Sequence, residues 1–498
     1  MNLDLDFSPV SLSYVGALRG IQPRRPGESF SYAVINGADV EQLICLAASN
    51  PEGRFYSLVA GAADKTEGEN RARARQVNNV TFLEGRLEDY LAKTEKDPSL
   101  LPPLHYLCCD ERKKGLSSSE RAALFALAAK WLQPGGLFAY GYRAYDQDDG
   151  ALRFLVQECA PEMDDGQAKE FLQEIKKLGA FYFRNHPQAA SKLEQAIGQN
   201  MPDQFFAGCG GLAVRSGSID TIVALQPRGF TYAGDAHVAM NYIELSAPAD
   251  AHQLIIECRD NPLYEPVKDF ALNRQERCDV WCHHPLSMTG DAAALFGSFV
   301  YGITAPRADV PCQVKTEGKP VDLSAPLFTK LIDLMTLVPV SIGDFLAHTD
   351  GKGFTPTEVV GAIQILVACG IAQPMRGRYR SETKADLSQP RLTGAFNKHL
   401  ERIMVTGAPV WLASPMAGGA VAVSPRDALV MQALNRVGLA NSVAALLPEL
   451  QRLARDPASA ARVMDTAEPT PEIACNMIKD TVSQSIVQWY AYGLLSAA

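Results

Sequence analysis

Apolar and polar positions over the first 150 residues alternate in blocks that predict strands separated by helices. The sequence Gln133-Pro-Gly-Gly136 is typical of a break between a helix and the strand that follows it. Because a helix stands between each pair of strands, the pattern predicts a parallel, doubly wound α/β sheet with right-handed crossovers. The predicted strands are 32–36, 54–59, 80–84, 105–109 and 137–141, and the predicted helices are 40–49, 66–77, 86–93 and 119–132.

Beyond residue 150 the pattern is less regular. Residues 151–228 predict a mainly helical insertion that ends in a glycine-rich stretch and an apolar run. A second organised block, 230–277, closes with a charge-rich helix predicted over 264–278. Residues 320–380 have the helix, helix and basic hairpin order of a winged helix. Residues 390–498 contain a Gly-Gly loop and a helical tail.

The turn after the first predicted strand has the layout of a nucleotide-binding turn but lacks most of its glycines. Such turns carry several glycines so that the backbone can approach the ligand closely. Here only Gly37 remains, and Val40 and Glu41 stand where small residues are expected. The second strand ends in Val59 instead of an acidic residue. Asp39 is explained equally well as the N-cap of the next helix.

Composition limits the class of protein. A chain of 498 residues exceeds what one core usually supports, which predicts about three domains. A net charge of −9 argues against nucleic acid as the main partner. The acidic N-terminus does not resemble a signal peptide, and no apolar run approaches the length of a membrane span. Eleven scattered cysteines are typical of reduced thiols, so a cytoplasmic location is expected.

Three stretches carry a resemblance to a known family. They are Gly229–Ala236, Asp269–Asp279 and Leu412–Gly419. In this order, after a nucleotide-type domain, they resemble bacterial S-adenosylmethionine-dependent methyltransferases that carry a methyltransferase regulatory domain, such as the rickettsial protein-lysine methyltransferases. The resemblance implies a class I methyltransferase-like (Rossmann-like) domain over 1–150, a helical insertion and regulatory domain over 151–315, and a winged-helix-like and helical C-terminal domain over 316–498.

At the positions that the resemblance assigns to the cofactor, this chain lacks most of the expected side chains. Asp39 keeps its identity, and Gly37 stands where relatives have a cysteine. Val59 replaces the ribose-binding acid, and Arg86 replaces the acid that meets the adenine amino group, although a guanidinium and an amine are both donors. The segment Asp110–Lys114 is charged where relatives are aromatic and small. One lost charged hydrogen bond weakens binding by about 1.5–3 kcal/mol, so five such departures predict a damaged pocket.

The sequence therefore predicts a non-catalytic pseudo-methyltransferase that binds or regulates a protein, because a fold can outlive the site built on it. Such a protein is expected to fill or bridge the cofactor space with side chains, with Glu41 and Arg86 as the candidates. No catalytic residue and no metal ligand is assigned. The expected cofactor is S-adenosylmethionine or none, and the expected partner is a protein partner or protein substrate.

The alternative is an active S-adenosylmethionine-dependent protein (lysine) N-methyltransferase with an atypical cofactor site. In that case the resemblance implies that Gly37 and Asp39 line the methionine end of the cofactor. Tyr142 or Tyr145 then flanks the methyl acceptor. The reaction would depend mainly on positioning the two reactants.

Two other motifs have simpler interpretations. Cys278–His284 has the residue types of a zinc site, but structural zinc needs a second pair of ligands, and none lies nearby. Buried thiols and surface histidines are therefore expected, as they are for Cys108 and Cys109 in a predicted buried strand. The basic segment Arg376–Arg380 fits a nucleic-acid-binding wing, a solvated hairpin or a contact with an acidic protein partner.

Overall fold

The structure of the protein is a computed structural model that describes most of the chain outside one long stretch. The described residues are 7–24, 27–35, 40–97, 99–112, 115–143, 218–257, 264–272, 274, 276–286, 291–377, 389–398, 410–460, 463–464 and 468–497, with five single positions between 170 and 194. Gly37, Asp39, Tyr145 and the basic positions 378–380 lie outside these ranges. So does nearly all of the predicted helical insertion.

Seven strands form one sheet at the centre of the molecule. They are β1 (Phe30–Ile35), β2 (Gly53–Val59), β3 (Val80–Glu84), β4 (Leu104–Asp110), β5 (Leu132–Arg143), β6 (Phe230–Asp235) and β7 (Glu276–His283). Their order is β3-β2-β1-β4-β5-β7-β6, with β1 to β5 parallel and β7 antiparallel to both of its neighbours. The predicted doubly wound α/β sheet is confirmed, and it continues beyond residue 150.

Helices cover both faces of the sheet. They are α1 (Pro9–Leu18), α2 (Val40–Ser49), α3 (Ala62–Ala74), α4 (Leu87–Lys96) and α5 (Ser118–Trp131). Tyr32 and Val34 pack in one core with α1, α2 and α3, whereas Ala33 and Ile35 pack in another with α4 and α5. Alternate side chains of a strand point to opposite faces, so a strand buried on both faces is mostly apolar, as β1 is apart from Ser31.

Local sequence explains where several of these helices begin. Ser8 caps α1 by accepting from the Ser11 backbone N–H, and proline follows at the first helical position, where its missing N–H costs nothing. Ser117 and Glu120 form a reciprocal capping box at the start of α5, which satisfies two backbone donors. The capping box starts α5 at Ser118, next to the predicted start at 119, whereas α1 was not predicted.

Two predictions from the sequence differ from the structure. The break at 133–136 is part of β5, which begins directly after α5 with an irregular register opposite Leu104 and Tyr106. The helix predicted over 264–278 is wrong beyond Ala271, because the chain forms strand β7 from Glu276. A charge-rich segment of this kind is typical of a solvated helix face. In the structure Arg277 is instead buried in the sheet and paired with Asp269 and Asp279.

The middle of the chain continues from β5 to the end of β7 and then into a second core. Besides β6, the described residues 218–257 and 264–272 form α6 (Ser218–Leu225), α7 (Ile243–Ser246), α8 (Ala249–Glu257) and α9 (Tyr264–Ala271). After β7 come α10 (Ala292–Phe296), β8 (Val300–Gly302), β9 (Gln313–Val314), β10 (Val321–Asp322), α11 (Pro326–Met335), β11 (Val340–Ser341), α12 (Ile342–Ala347), α13 (Pro356–Ala368) and β12 (Gln373–Met375). Helices α10 to α13 share one core with α1.

The helix order expected of a winged helix is present in α11, α12 and α13, and the sheet beside them is built differently from the prediction. The strand order is β11-β8-β12, so the middle strand comes from chain that precedes α11. The strand after α13, β12, therefore pairs with β8. Arg376, at the start of the basic segment, lies 2.8 Å from Glu52. The winged-helix interpretation stays a prediction.

The C-terminal part of the chain forms a third core. Its elements are β13 (Pro390–Leu392), α14 (Gly394–Lys398), β14 (Val410–Ser414), β15 (Gly419–Val423), α15 (Pro425–Val437), α16 (Ser442–Leu453), α17 (Pro457–Ala460), α18 (Pro471–Ala491) and β16 (Leu495–Ala497). The predicted Gly-Gly loop is the turn of the β14–β15 hairpin. Among the helices described, none is both long and apolar enough to cross a membrane. The domain boundaries at 150 and 315 stay predictions.

Candidate functional site

The candidate site is the edge of the sheet where β1 to β6 end and β7 begins. Ligands of open α/β sheets bind outside the carboxyl ends of the parallel strands. Two of the residues predicted for the cofactor, Gly37 and Asp39, belong to the turn 36–39 between β1 and α2, which lies outside the described residues. Tyr145 and positions 113–114 also lie outside the described residues, and the other predicted positions divide the edge into two parts.

The first part comprises the ends of β1, β2 and β3. Val59 is the last residue of β2 and pairs in register with Glu84, the last residue of β3. The side chain of Val59 has no atom that can accept a hydrogen bond from a ribose hydroxyl. Glu84 is exposed, and residues that pair in parallel register point to the same face of a sheet. A carboxylate therefore stands one strand away from the predicted ribose position.

Glu41 and Arg86, the side chains predicted to fill this space, are engaged elsewhere. Glu41 Oε2 lies 3.4 Å from Arg75 Nη2, and the Arg75 guanidinium stacks over the Phe396 ring at 5.4 Å. The Arg86 side chain is 71% exposed and lies 3.5 Å from Glu88. Arg86 therefore does not fill the cofactor space, which corrects the expectation for that residue.

A different ion pair covers the adjacent ends of β4 and β5. Asp110 is the buried last residue of β4, and its two carboxylate oxygens accept from Arg112 Nε at 2.7 Å and Nη2 at 3.0 Å. The pair rests on Gly141 of β5, where a Cβ atom would lie 2.5 Å from Asp110 Oδ1. Such bidentate pairs are strong and fix the guanidinium plane. The sequence showed that this segment is charged but not that its charges bind each other.

The next residue forms a second pair. Glu111 Oε1 lies 3.1 Å from Arg121 Nη2, and Arg121 Nε also donates to the Tyr140 hydroxyl at 3.2 Å. Burial, followed by the charge of Glu111, raises the pKa of Tyr140 well above its usual range. The tyrosine is therefore neutral. Both acids that follow β4 are thus neutralised by arginines of this chain, which leaves them poorly placed to bind a ligand.

The second part of the edge, at β5, β6 and β7, contains a buried ionic cluster around Arg277. Its guanidinium lies 2.8 Å from Glu265, 2.7 Å from Asp269 and 2.9 Å from Asp279, and its side chain is 0% exposed. It also donates to the Tyr232 hydroxyl at 3.1 Å. Because Glu265 and Asp269 belong to α9 and Asp279 to β7, the cluster fastens the helix to the sheet.

Tyr142, predicted to flank a methyl acceptor, belongs to this cluster. Its hydroxyl donates to Asp279 Oδ2 at 2.7 Å, and its side chain is fully buried. Burial raises the pKa of Asp279 to about 6 because it outweighs the lowering by Arg277, and the charges of Asp235 and Glu265 add smaller increases. Tyr142 is thus committed to a structural hydrogen bond and is not exposed at the edge, which corrects the expectation.

A second arginine of the same motif extends the cluster toward β6. Arg274 Nη1 lies 2.5 Å from Asp235 Oδ2. Burial raises the pKa of Asp235, but the neighbouring Arg274 and Arg277 guanidinium groups and His237 together lower it more, so the pKa of the carboxyl stays below its usual range. Lys268 donates to the Met240 carbonyl oxygen. The charged residues of the stretch Asp269–Asp279 therefore form a structural network that the sequence did not reveal.

The cysteine and histidine motif lies inside the sheet. Cys278 and Cys282 are buried in β7, and burial raises the pKa of Cys282 to about 12. His283 Nδ1 lies 2.9 Å from the Leu132 carbonyl oxygen. Cys108 and Cys109 are buried in β4, as predicted. Among the residues described, no group of three or more His, Cys, Asp and Glu is placed to hold a metal ion.

The third motif, at the β14–β15 turn, contacts the end of α2. Ser49 Oγ donates to the Gly419 carbonyl oxygen at 2.9 Å and accepts from the Ser414 backbone N–H at 3.2 Å. Asn50 Nδ2 donates to the Gly418 carbonyl oxygen at 2.9 Å. The helix that begins at the cofactor turn is therefore fastened at its other end to the C-terminal core.

The motifs and this geometry agree with a comparison to known families. Residues 218–283 match the family described as "Predicted methyltransferase regulatory domain", a span that runs from α6 to the end of β7. It includes Arg277 and the three acids that pair with it, but not Tyr142. This part of the chain is therefore similar to a methyltransferase regulatory domain.

Whole-chain comparisons extend this methyltransferase fold to nearly every residue. The structure of PKMT2 from Rickettsia typhi aligns over 98% of both chains with a TM-score of 0.62 and 14% identity. The same protein in complex with AdoHcy aligns over 98% of both chains with a TM-score of 0.62 and 13% identity. An uncharacterized protein of Synechocystis is 20% identical over 446 residues, covering 86% of this chain and 85% of its own. At these identities the solved structures establish the shared fold.

The described residues of this edge do not fit S-adenosylmethionine as the family would bind it. Val59 offers no acceptor to the ribose, Arg86 offers a donor where an acceptor is needed, and Asp110 is held by Arg112. A carboxylate that already accepts two charge-assisted hydrogen bonds has little to gain from a new ligand. No reaction step through the cofactor is therefore derived for this chain.

Proposed function

We propose that this methyltransferase-fold protein is a non-catalytic pseudo-methyltransferase that acts by binding a protein partner. The observation that carries the proposal is the Asp110–Arg112 pair, which closes over Gly141 at the end of β4 and β5. Val59 at the end of β2 supports it, because a ribose-binding acid is missing there. The fold is kept while the side chains that would hold the cofactor are absent or engaged.

The distribution of buried charge supports a role for the intact regulatory region. The cluster around Arg277 is complete and buried, so α9 is held rigidly against the sheet. A rigid surface loses little entropy when a partner binds, which favours recognition. The proposal includes a cytoplasmic location, supported by the absence of disulfides among the described cysteines, all of which are free thiols.

Isothermal titration of the purified protein with S-adenosylmethionine and with S-adenosylhomocysteine tests the proposal. We expect no heat of binding at millimolar ligand. The matched control is PKMT2 from Rickettsia typhi, which has been solved in complex with AdoHcy, under the same conditions. Micromolar binding by the present protein contradicts the pseudo-methyltransferase proposal.

A second candidate function is an active protein (lysine) N-methyltransferase with an atypical cofactor site. It is favoured by Glu84, the exposed carboxylate that pairs in register with Val59 and could accept from a ribose in place of the missing acid. When bound, S-adenosylmethionine would supply the electrophilic methyl group. If the titration does detect binding, the Glu84→Gln variant should bind at least tenfold more weakly, since a charged hydrogen bond is worth about 1.5–3 kcal/mol. Unchanged affinity in that variant rules out Glu84 as the substitute.

A further inference from the structure

A cavity of about 430 Å³ lies away from the sheet edge, between the core of α11 to α13 and the core of α15 to α18. Its walls are the loop 304–309 after β8, the end of β15, the start of α15 and one face of α18. Small-molecule sites commonly occupy about 300–1,000 Å³ and often lie between structural units. The cavity is therefore large enough for a small ligand.

Hydrogen bonds across the cavity hold its walls in place. Gln488 of α18 donates to the Ile303 carbonyl oxygen at 2.8 Å. The Tyr492 hydroxyl lies 2.9 Å from the carbonyl oxygens of both Ile303 and Met335. These contacts join the two cores on either side, so the cavity is preformed. A preformed site loses less free energy on binding than one that must be ordered.

The charges on the walls are predominantly negative. Three carboxylates, those of Asp309, Asp427 and Asp480, line the cavity with a single guanidinium, that of Arg426. Three negative charges and one positive charge leave a net charge of −2. Arg426 lies 3.4 Å from Asp480, and its charge also acts on Asp427, whose carboxylate has side-chain hydrogen bonds to Ser424 and Thr481. Burial is the main cause that raises the pKa of Asp427, and the charge of Asp309 adds a smaller increase.

These carboxylates are spread over different elements: Asp309 follows β8, Asp427 begins α15 and Asp480 lies on α18. In the part of the chain that the structure describes, no three acidic groups converge as they do around a metal ion. Separated carboxylates suit a ligand whose positive charges are also separated. Between them, Trp489 and Val421 supply apolar wall, against which methylene groups can pack and over which a cation is attracted by the ring.

We propose that this cavity binds a linear polyamine, with ammonium groups paired to Asp309 and Asp427 and the methylene chain against Trp489. The site lies between the two C-terminal cores, so its occupant would contact both. This inference goes beyond the proposed function of the sheet edge and does not depend on it. A protein that fails to bind S-adenosylmethionine can still bind a polyamine here.

Titration with spermidine, followed by calorimetry and by tryptophan fluorescence, tests the inference. We expect saturable binding in the micromolar range with a change in the Trp489 signal, which the Trp489→Phe variant removes. Asp309→Asn should weaken binding at least tenfold. Asp309 is exposed, so this variant is expected to fold, and circular dichroism verifies that. Asp350→Asn, at a partly exposed acid outside the cavity, is the matched control and should bind spermidine as the wild type does.

Four outcomes would overturn the inference. They are the absence of saturable binding at millimolar spermidine, equal affinity in Asp309→Asn, equal displacement of spermidine by magnesium chloride at the same concentration, and tighter binding of an acetylated trilysine amide than of spermidine. Magnesium displacement would mean a general cation site. Preference for the peptide would assign the cavity to a basic segment of a protein.

Discussion

The two parts of one sheet edge differ sharply in how their charges are placed. At the ends of β2 and β3, Val59 is apolar and Arg86 points to solvent, beside an exposed Glu84. At the ends of β5, β6 and β7, a buried guanidinium holds three carboxylates. The first part lacks the acids that the resemblance predicts at Val59 and Arg86, whereas the second contains an internal ionic network. Architecture and ligand chemistry are therefore separable within a single sheet.

The two parts of the edge also differ in how much their ion pairs affect the free energy of unfolding. An exposed ion pair such as Arg86–Glu88 contributes about 0–1 kcal/mol, because water screens it. A buried network is marginal in net value, but removing one member leaves uncompensated charges in a medium that solvates them poorly. Substitutions should therefore change stability little at the exposed Arg86 and lower it strongly at the buried Arg277.

The largest expected effect on stability is that of removing Arg277 from the buried cluster. Replacing Arg277 by methionine leaves Glu265, Asp269 and Asp279 without their common partner, and we expect a loss of about 3–5 kcal/mol in the free energy of unfolding. Urea denaturation measures it. The matched control, Arg86→Met, removes an exposed guanidinium and should cost less than about 0.5 kcal/mol. Similar losses in the two variants would remove the contrast between the two ends.

The next prediction uses the pH dependence of Asp279. Burial raises the pKa of this carboxyl to about 6 in the folded protein, above the value of about 3.9 expected when unfolded. The folded state therefore binds the extra proton, and the resulting stability is fully present below pH 4 and lost as the pH rises through 6. From pH 4 to pH 7 the free energy of unfolding should fall by about 2–3 kcal/mol through this group.

Urea unfolding of wild type and Asp279→Asn at several pH values isolates that contribution. The difference between the two curves should change between pH 4 and pH 7 and be flat above. Asp322→Asn gives a contrasting control, because hydrogen bonds from Ser324 lower the pKa of Asp322, so its contribution is lost as the pH falls. Parallel curves for wild type and Asp279→Asn would show that Asp279 keeps an ordinary pKa.

A third prediction concerns the end of β2, where a carboxylate at position 59 should restore part of the affinity for the cofactor. Val59→Asp places a carboxylate at the end of β2, and one charged hydrogen bond of about 1.5–3 kcal/mol corresponds to roughly a ten- to hundredfold gain in affinity. Calorimetric titration with S-adenosylhomocysteine measures the gain. Val338→Asp, at an exposed position far from the edge, is the control. No gain in Val59→Asp would mean that the missing acid is not what limits binding.

The smallest effect concerns the contact between α2 and the C-terminal core. Ser49→Ala removes the side-chain bonds to Gly419 and Ser414 and leaves buried backbone groups unpaired, for a cost of about 1–2 kcal/mol. Thermal and urea unfolding measure it. Ser483→Ala, whose exposed hydroxyl bonds only within its own helix in the contacts described, should change stability by less than about 0.5 kcal/mol. Equal stability of the two variants would mean that this contact does not hold α2.

The strands and helices of the first 143 residues could be predicted because their signals are local. Apolar runs give strands that are buried on both faces, and caps such as Ser117 and Glu120 mark the helix starts. β7 could not be predicted in this way. Its Arg277 and Asp279 have the composition of a solvated helix, and only their distant partners in α9 and β5 make burial in a strand tolerable.

The candidate site likewise has some features that residue identity predicts and others that depend on contacts between distant residues. The identities of Val59 and Arg86 were sufficient to predict that the cofactor chemistry has changed, since an isopropyl group accepts no hydrogen bond and a guanidinium cannot replace an acid. The sequence did not identify Arg112 as the partner of Asp110, because that pairing depends on the bare backbone of Gly141 beneath it. It likewise gave no sign that Tyr142 bonds to Asp279, a contact between residues 137 positions apart.

By itself, the sequence determined the alternation of strands and helices, the loss of the nucleotide-binding side chains and the order of the three family motifs. Those properties follow from residue type, periodicity and short-range caps. The tertiary structure alone decided that two of those motifs are structural: one is a buried ionic network and another is a turn that holds the end of α2. The physical reason is that the role of a charged or polar residue depends on the residues that it contacts. Those residues are distant in sequence, and only the fold brings them together.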